Sequence, residues 1–374
     1  MIEGYATREG TSRFRTRHEG RSTAIGHFKQ FGEYMLTSIG MGTYLGKADD
    51  ATDLLIIDAI KRSVGGGVIN VIDTAVNYRF QKSERAVGKA LKELVEEGTC
   101  KRDEVFISTK NGYLTHDADL SMDFWEYIHT NLIKAGVISA DDISSGYNCI
   151  KISYLEDQLK RSLKNLGLEC IDLIYLHNAA EEQLPDVGRD RFMHMLKEAF
   201  EFYEAKRREG LIRYYGMATW DCLRVEPSNP LYMNVKDIVD IAEDVGSSKD
   251  HGFRFIQLPF NMAMHEAATL KNQVIDGRIY TVMEAAMLLG INVFTSVPLL
   301  QGRLLHSSRD VMSLVKAETP ALACLQFARS SRAIPLIGQK RREHVEENLR
   351  IAKIPPLGND EFSSIIASLK VRAA

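Results

Sequence analysis

The sequence predicts a (β/α)8 barrel, and three observations lead there. Short apolar, β-rich runs alternate with segments of helical periodicity, the runs number eight, and no Pro/Gly/Ser-rich linker divides the series. Strict alternation implies parallel strands joined by crossovers. Eight such units close a barrel, with an open doubly wound sheet as the competing arrangement.

The runs are MLTSIGM (35–41), VINVI (68–72), EVFIST (104–109), IDLIYL (171–176), LIRYYGM (211–217), RFIQL (254–258), INVFTS (291–296) and AIPLI (333–337). Between them lie ATDLLIIDAIKRSV, ERAVGKALKELVEEG, SYLEDQLKRSLKNL, DRFMHMLKEAFEFYEAKRREG, VKDIVDIAEDV, VMEAAMLLG, TPALACLQFARSS and REHVEENLRIA, apolar near every third or fourth place. Gly98, Gly167, Gly210 and Gly290 stand where helices should stop. The expected organisation is one domain over residues 1–374, with 1–34 as an N-terminal extension. A long insertion at 111–150, carrying Trp125, Tyr127 and Tyr147, is expected to fold over the mouth as a substrate lid; packing on the rim is the alternative.

Composition narrows the function. A net charge of −3 over 374 residues argues against a nucleic acid or an anionic membrane as the main partner. Five scattered cysteines without a CxxC pair disfavour a disulfide framework or a zinc site. HEAAT (265–269) lacks the second His of a zinc-peptidase helix, so no metal site is expected. GMGTYLG (40–46) has GxGxxxG spacing and not the GxGxxG of a dinucleotide fingerprint. With no signal peptide or membrane span in view, a cytoplasmic location is expected.

Barrel active sites are built at the carboxyl ends of the strands. Those ends carry Asp73 and Tyr78 after the second run, Lys110 after the third, His177 and Asn178 after the fourth and Thr219 after the fifth. Gln257 closes the sixth run, Ser296 the seventh, and Gly338, Gln339, Lys340, Arg341 and Arg342 come after the eighth. A phenol is a weak acid at neutral pH, and a nearby ammonium would lower its pKa. Lys110 can supply that charge, Asp73 can offset the cost of burying it, and a neutral His177 can orient a substrate oxygen. This set can protonate a carbonyl oxygen, but no side chain delivers hydride, so a nicotinamide cofactor is implied. The basic turn at 340–342 opens a helix, a place that welcomes a phosphate.

At these residues the sequence resembles the aldo-keto reductase superfamily. The matching stretches are GMGTYLG, NVIDTAVNYR (70–79), FISTKNG (106–112), SLKNLGLECIDLIYLHN (162–178), GLIRYYGMATW (210–220), QLPFN (257–261), LLQGRL (299–304) and IPLIGQKRREHVEENL (334–349), in family order. The resemblance implies a catalytic tetrad of Asp73, Tyr78, Lys110 and His177, with Tyr78 as general acid and base. It implies NADP(H) as cofactor and a small carbonyl or alcohol as substrate. Cofactor contacts are implied at Gly42, Thr43, Asn178, Thr219, Gln257, Ser296, Gly338, Glu347 and Asn348, and at Leu299, Gln301 and Gly302 for the pyrophosphate. Lys340, Arg341 and Arg342 are expected to read the 2′-phosphate. Departures occur at Ala218 and Thr219, where the family usually has Ser-Asn, and at Ser296 (or Thr295), where an aromatic often stacks on the nicotinamide. The alternative function is a cofactor-binding, redox-sensing subunit with little turnover.

Overall fold

The computed structural model describes residues 1–246, 250–306 and 312–373. Eight parallel strands close a barrel: β1 (Gly40–Gly42), β2 (Val71–Asp73), β3 (Phe106–Asn111), β4 (Ile171–His177), β5 (Ile212–Ala218), β6 (Phe253–Pro259), β7 (Asn292–Ser296) and β8 (Ile334–Gly338). The ring shuts where β8 pairs with β1, Leu336 against Gly40. The expected helices are present, among them Asp50–Gly65, Lys82–Glu96, Ile152–Leu166, Arg189–Arg208 and Arg342–Leu349. Their starts are capped by local chemistry. Asp49 and Thr319 accept backbone N–H bonds at two N-termini, and Thr281 and Glu284 form a reciprocal box at a third. The glycines expected as stops at 98, 167, 210 and 290 all lie at positive φ.

The first run is a correction. Residues 35–41 are not one strand, because Tyr34–Thr37 pairs antiparallel with Phe28–Phe31 in a hairpin and the barrel strand begins only at Gly40. Gly32 at φ +60 makes the tight turn. Thr37 then spends its N–H on the Asn70 side chain at 2.9 Å, and its hydroxyl bonds the Ile39 carbonyl at 2.8 Å, which ends the pairing.

This hairpin stoppers the amino-terminal end of the barrel. Phe31, Tyr34 and Leu36 pack with the interior side chains Val71, Phe106, Leu173, Phe255, Phe294 and Ile334. Phe31 lies 4.9 Å from Phe294 and Tyr34 lies 5.2 Å from Phe106, centroid to centroid, both edge-on. A helix that sequence periodicity does not reveal, Arg8–His18, covers the flank: Arg13 and Arg17 bind the fully buried Glu104 at 2.8 Å each. Asp172, also buried, accepts from Ala6 N at 2.6 Å, Ile107 N at 2.7 Å and Arg102 at 2.9 Å. Lys29 closes a helix end by donating to the carbonyls of Arg329, Ser331 and Ala333 at 2.6–2.8 Å.

The 111–150 segment has a small core of its own. Leu114, Tyr127, Ile128, Leu132, Ile138 and Cys149 cluster with Tyr154 of the following helix. All five cysteines are buried, and burial pushes the thiols of Cys100, Cys149 and Cys170 up to about 12. Among the described residues no helix is long and apolar enough to cross a membrane, and no cluster of metal-ligating side chains occurs.

Candidate active site

The carboxyl ends of the strands surround a cavity of about 710 Å³. At its floor the β2 and β3 ends meet. Lys110, wholly buried, donates to Asp73 Oδ2 at 2.5 Å and to the Thr74 carbonyl at 2.8 Å. Asp73 Oδ1 accepts from Ser108 Oγ at 2.7 Å and Gln257 Nε2 at 3.0 Å, so the carboxylate is held by three side chains. The Lys110 ammonium lies 4.6 Å from the centroid of the Tyr78 ring, a cation–π distance. Burial draws the Lys110 ammonium down, but Asp73 and then Tyr78 outweigh it and hold its pKa above the ordinary value. The buried cation is therefore retained.

Tyr78 and His177 face the cavity with ring centroids 5.9 Å apart. Burial raises the Tyr78 phenol, and the Lys110 charge opposes this only in part, so the net direction is upward. That differs from the lowered phenol expected from the sequence. A desolvated hydroxyl stays protonated, which makes it a donor in waiting. Burial, reinforced by the Lys110 charge, holds His177 well below the usual imidazole range, and its Nδ1 is buried without a partner. The imidazole is neutral at ordinary pH.

Around this floor the walls are aromatic. Tyr44 stands against Tyr78 at 5.0 Å and Tyr113 stands edge-on to His177 at 4.9 Å. The Tyr113 hydroxyl donates to Glu182 at 2.5 Å and accepts from Asn178 at 3.1 Å. Trp220 completes the set on a loop braced by Glu181, whose Oε1 accepts the N–H groups of Trp220, Asp221 and Cys222 at 2.8–3.0 Å. Of the 111–150 segment, only Tyr113 lines the cavity; Trp125 and Tyr147 are each 52% exposed and pair with one another at 5.5 Å.

The other side is formed by β7 and β8. Gly42, Asn178, Thr219, Gln257, Ser296, Leu299, Gln301, Gly302, Gly338, Lys340 and Arg341 all line the cavity. Four residues expected as contacts do not. Thr43 is buried and bonds the Asp73 carbonyl, and Arg342 turns outward to Glu346 at 2.7 Å. Glu347 lies outside the wall, and Asn348 donates to Gln339 at 3.1 Å, the residue that does reach it. The chain after β7 is left-handed at Val297, Leu300 and Gln301, each near φ +50, and at Gly302. Val297 is β-branched, a costly residue for that conformation. Lys340 has no ion pair or hydrogen-bond partner among the described residues; burial, then Arg341 and Arg79, lower its pKa. Arg341 also has no side-chain partner among them, and Lys340 and Arg341 form a cationic corner of the wall, which His344 also lines.

Sequence periodicity could not have found Tyr44, Tyr113, Trp220 or His344, which sit on loops or an exposed helix face. A family model described as the aldo/keto reductase family matches residues 38–370. Among curated proteins the chain is similar to the Schizosaccharomyces pombe aldo-keto reductase yakc [NADP(+)], 27% identical over 146 residues, covering 39% of this chain and 31% of that protein. It is also similar to the Escherichia coli NADH-specific methylglyoxal reductase, 28% identical over 191 residues, covering 50% and 49%. The matched stretches thus span half or less of these relatives' lengths. Among solved structures, a Klebsiella pneumoniae aldo/keto reductase in complex with NADP and acetate superposes with a TM-score of 0.61 at 19% identity, over 92% of this chain and 96% of that one.

Proposed function

The chain belongs to the aldo/keto reductase family, and on that premise we propose that it is an oxidoreductase interconverting a carbonyl and an alcohol with NADP(H). The observation that carries this reading is the meeting of Tyr78 and a neutral His177 in one cavity directly above a buried Lys110–Asp73 pair.

The nicotinamide supplies the hydride when bound. The protein's own part is proton handling. In reduction the Tyr78 hydroxyl donates its proton to the carbonyl oxygen as that oxygen gains negative charge. The phenolate left behind is stabilised by the Lys110 ammonium, which Asp73 keeps charged in a buried place. His177 hydrogen-bonds the same oxygen and orients it. In oxidation the Tyr78 phenolate takes the proton back.

The residues present fit the cofactor. Asn178, Thr219 and Gln257 offer polar groups that would hold a carboxamide, Ala218 contributes none, and the left-handed stretch Leu300, Gln301 and Gly302 would hold a pyrophosphate. Half-buried Lys340 and exposed Arg341 form a cationic corner with no counter-ion among the described residues, the complement of a phosphate. One relative is named for NADP(+) and another is NADH-specific, so the choice rests on this corner. The test is consumption of NADPH with a panel of small aldehydes and ketones, and of NADP+ with the matching alcohols. Turnover requiring both partners is expected. Tight NADPH binding with no turnover of any compound would overturn the enzymatic reading in favour of a cofactor-sensing role.

A further inference from the structure

Three consecutive residues directly after Tyr78 adopt the left-handed conformation with no glycine among them: Arg79 (φ 51), Phe80 (φ 54) and Gln81 (φ 76). Left-handed backbone is visited by L-residues singly and at a cost, and runs of it are rare. Something must hold this one in place.

Local backbone bonds close the turn, with Phe80 N–H on the Asn77 carbonyl at 3.2 Å and Gln81 N–H on the Val76 carbonyl at 3.0 Å, and its side chains tie it to both neighbouring segments. Arg79 donates to the carbonyls of Lys47 at 2.6 Å and Asp49 at 3.0 Å and to Asp53 at 2.5 Å. These anchor the loop after β1, which carries Tyr44 against the Tyr78 ring. On the other side Phe80 lies 4.2 Å from the ring of His116, its carbonyl accepts from Ala118 N at 3.2 Å, and Gln81 Nε2 donates to the His116 carbonyl at 3.1 Å. His116 and Ala118 belong to the 111–150 insertion. That contact is riveted by ion pairs from the helix after the turn: Lys82 to Asp119 at 2.8 Å, and Arg85 to Asp117 at 2.6 Å and to Asp119.

We propose that the insertion serves the reaction as a brace for Tyr78, acting through the Arg79–Phe80–Gln81 turn, and not as a lid over the substrate. The proposal rests on the reading of Tyr78 as the proton donor. Phe80 and Gln81 are positioning residues: they touch neither cavity nor floor, and they fix the turn that delivers Tyr78 over Lys110. Glycine at 80 and 81 would accept the same φ without steric cost. It would remove the Phe80 ring and the Gln81 amide from the insertion, and the Gln81 bond to Asn165, while the Phe80 carbonyl bond to Ala118 and the ion pairs of Lys82 and Arg85 remain. Backbone shape and side-chain bracing can thus be separated.

The experiment compares wild type with a Phe80→Gly, Gln81→Gly double variant and with Phe80→Tyr. Two readouts are taken: steady-state kinetics with NADPH, and the ¹³C signal of Tyr78 in protein labelled at tyrosine Cζ, assigned by Tyr78→Phe. The double variant is expected to lose about ten- to a hundredfold in kcat with KM for the carbonyl changed less than about twofold. Its Tyr78 signal should move as the ring leaves the ammonium, and its alcohol-oxidation profile should shift to higher pH because the phenolate loses Lys110. Phe80→Tyr keeps the ring and should restore wild-type behaviour. A double variant with unmoved Tyr78 signal and unchanged kcat overturns the proposal. If the double variant fails to fold, His116→Ala removes only the insertion's ring, and an unmoved signal there overturns it equally. Wild type without turnover would defeat the functional reading, while the Tyr78 signal would still decide the brace.

Discussion

Apart from the paired floor of Lys110 and Asp73, the two ends of the barrel treat their polar and charged groups in opposite ways. At the closed end Asp172 accepts three hydrogen bonds, Glu104 holds two arginines, and Lys29 is spent on three carbonyls. At the open end Lys340 and Arg341 have no counter-ion among the described residues, His177 Nδ1 is buried without a partner, and the chain bends through left-handed turns on both sides of the cavity. A polar group satisfied within the fold stabilises it, whereas one left unsatisfied is available to a ligand. The difference marks where the open end is free to meet a ligand, while the Lys110–Asp73 pair at its floor is satisfied within the fold like the groups of the closed end.

The sharpest way to break that contrast is Tyr78→Phe. It should lower kcat for carbonyl reduction by about 10²- to 10⁴-fold while leaving the NADPH dissociation constant nearly unchanged, since only a proton donor is lost. Retention of more than about a tenth of wild-type turnover, with chemistry limiting, would remove Tyr78 from its role. Lys110→Met should be comparably damaging and should shift the pH profile of what remains.

Next in size is the cationic corner. A Lys340→Ala, Arg341→Ala double variant should weaken NADPH by roughly 10- to 150-fold, the range of one charge-assisted contact, and leave NADH alone. Fluorescence titration of both cofactors decides it, and equal weakening would show that the corner does not read the 2′-phosphate.

The closed end should respond in stability alone. Glu104→Ala should cost about 1.5 to 3 kcal/mol in urea unfolding, the scale of hydrogen bonds to a charged group, with kcat unchanged. Burial alone would raise the Glu104 carboxyl, but Arg17, the Lys101 N–H and Arg13 hold it below its ordinary 4.5. A lowered carboxyl binds fewer protons folded than unfolded, so its stabilisation is complete above that value and fades as pH falls through the lowered one. Wild type should lose this increment in acid, and the variant should not.

The smallest expected effect is an absence. Because His177 titrates well below 6.5, the rate of carbonyl reduction should pass through that pH without a step. A drop centred there would mean that the imidazole carries a charge in the working site.

Much of the fold and the site is legible in the sequence because periodicity reports burial. The helical segments and seven of the runs correspond to elements of the barrel, and the polar residues of the floor stand directly after the apolar runs that place them. MLTSIGM misleads because one apolar stretch feeds two sheets, and the break at Thr37 is a side-chain bond to Asn70, distant in sequence. The Arg8–His18 helix has no apolar stripe to announce it and is held largely by Glu104 and Asp103. A second hairpin, Lys271–Ile275 with Arg278–Thr281, does carry a signal: Asp276-Gly277, both left-handed, is a favoured two-residue turn. Trp220 is beyond reach because its loop is set by Glu181, an ordinary-looking surface acid until it gathers three N–H groups. Glu347, Asn348 and Arg342 lie beside the wall, since a motif gives neighbourhood and only side-chain packing gives direction.

The buried cysteines bear on what such a cavity can be exposed to. Aldehydes and unsaturated ketones are electrophiles that seek thiolates, and a thiolate needs both access and a low pKa. Here every cysteine is buried, burial pushes Cys100, Cys149 and Cys170 up to about 12, and Cys222 is held well above its ordinary value. Under the proposed function, an electrophilic substrate that enters the cavity meets no accessible cysteine thiolate of this chain, a tolerance built into where the cysteines were placed.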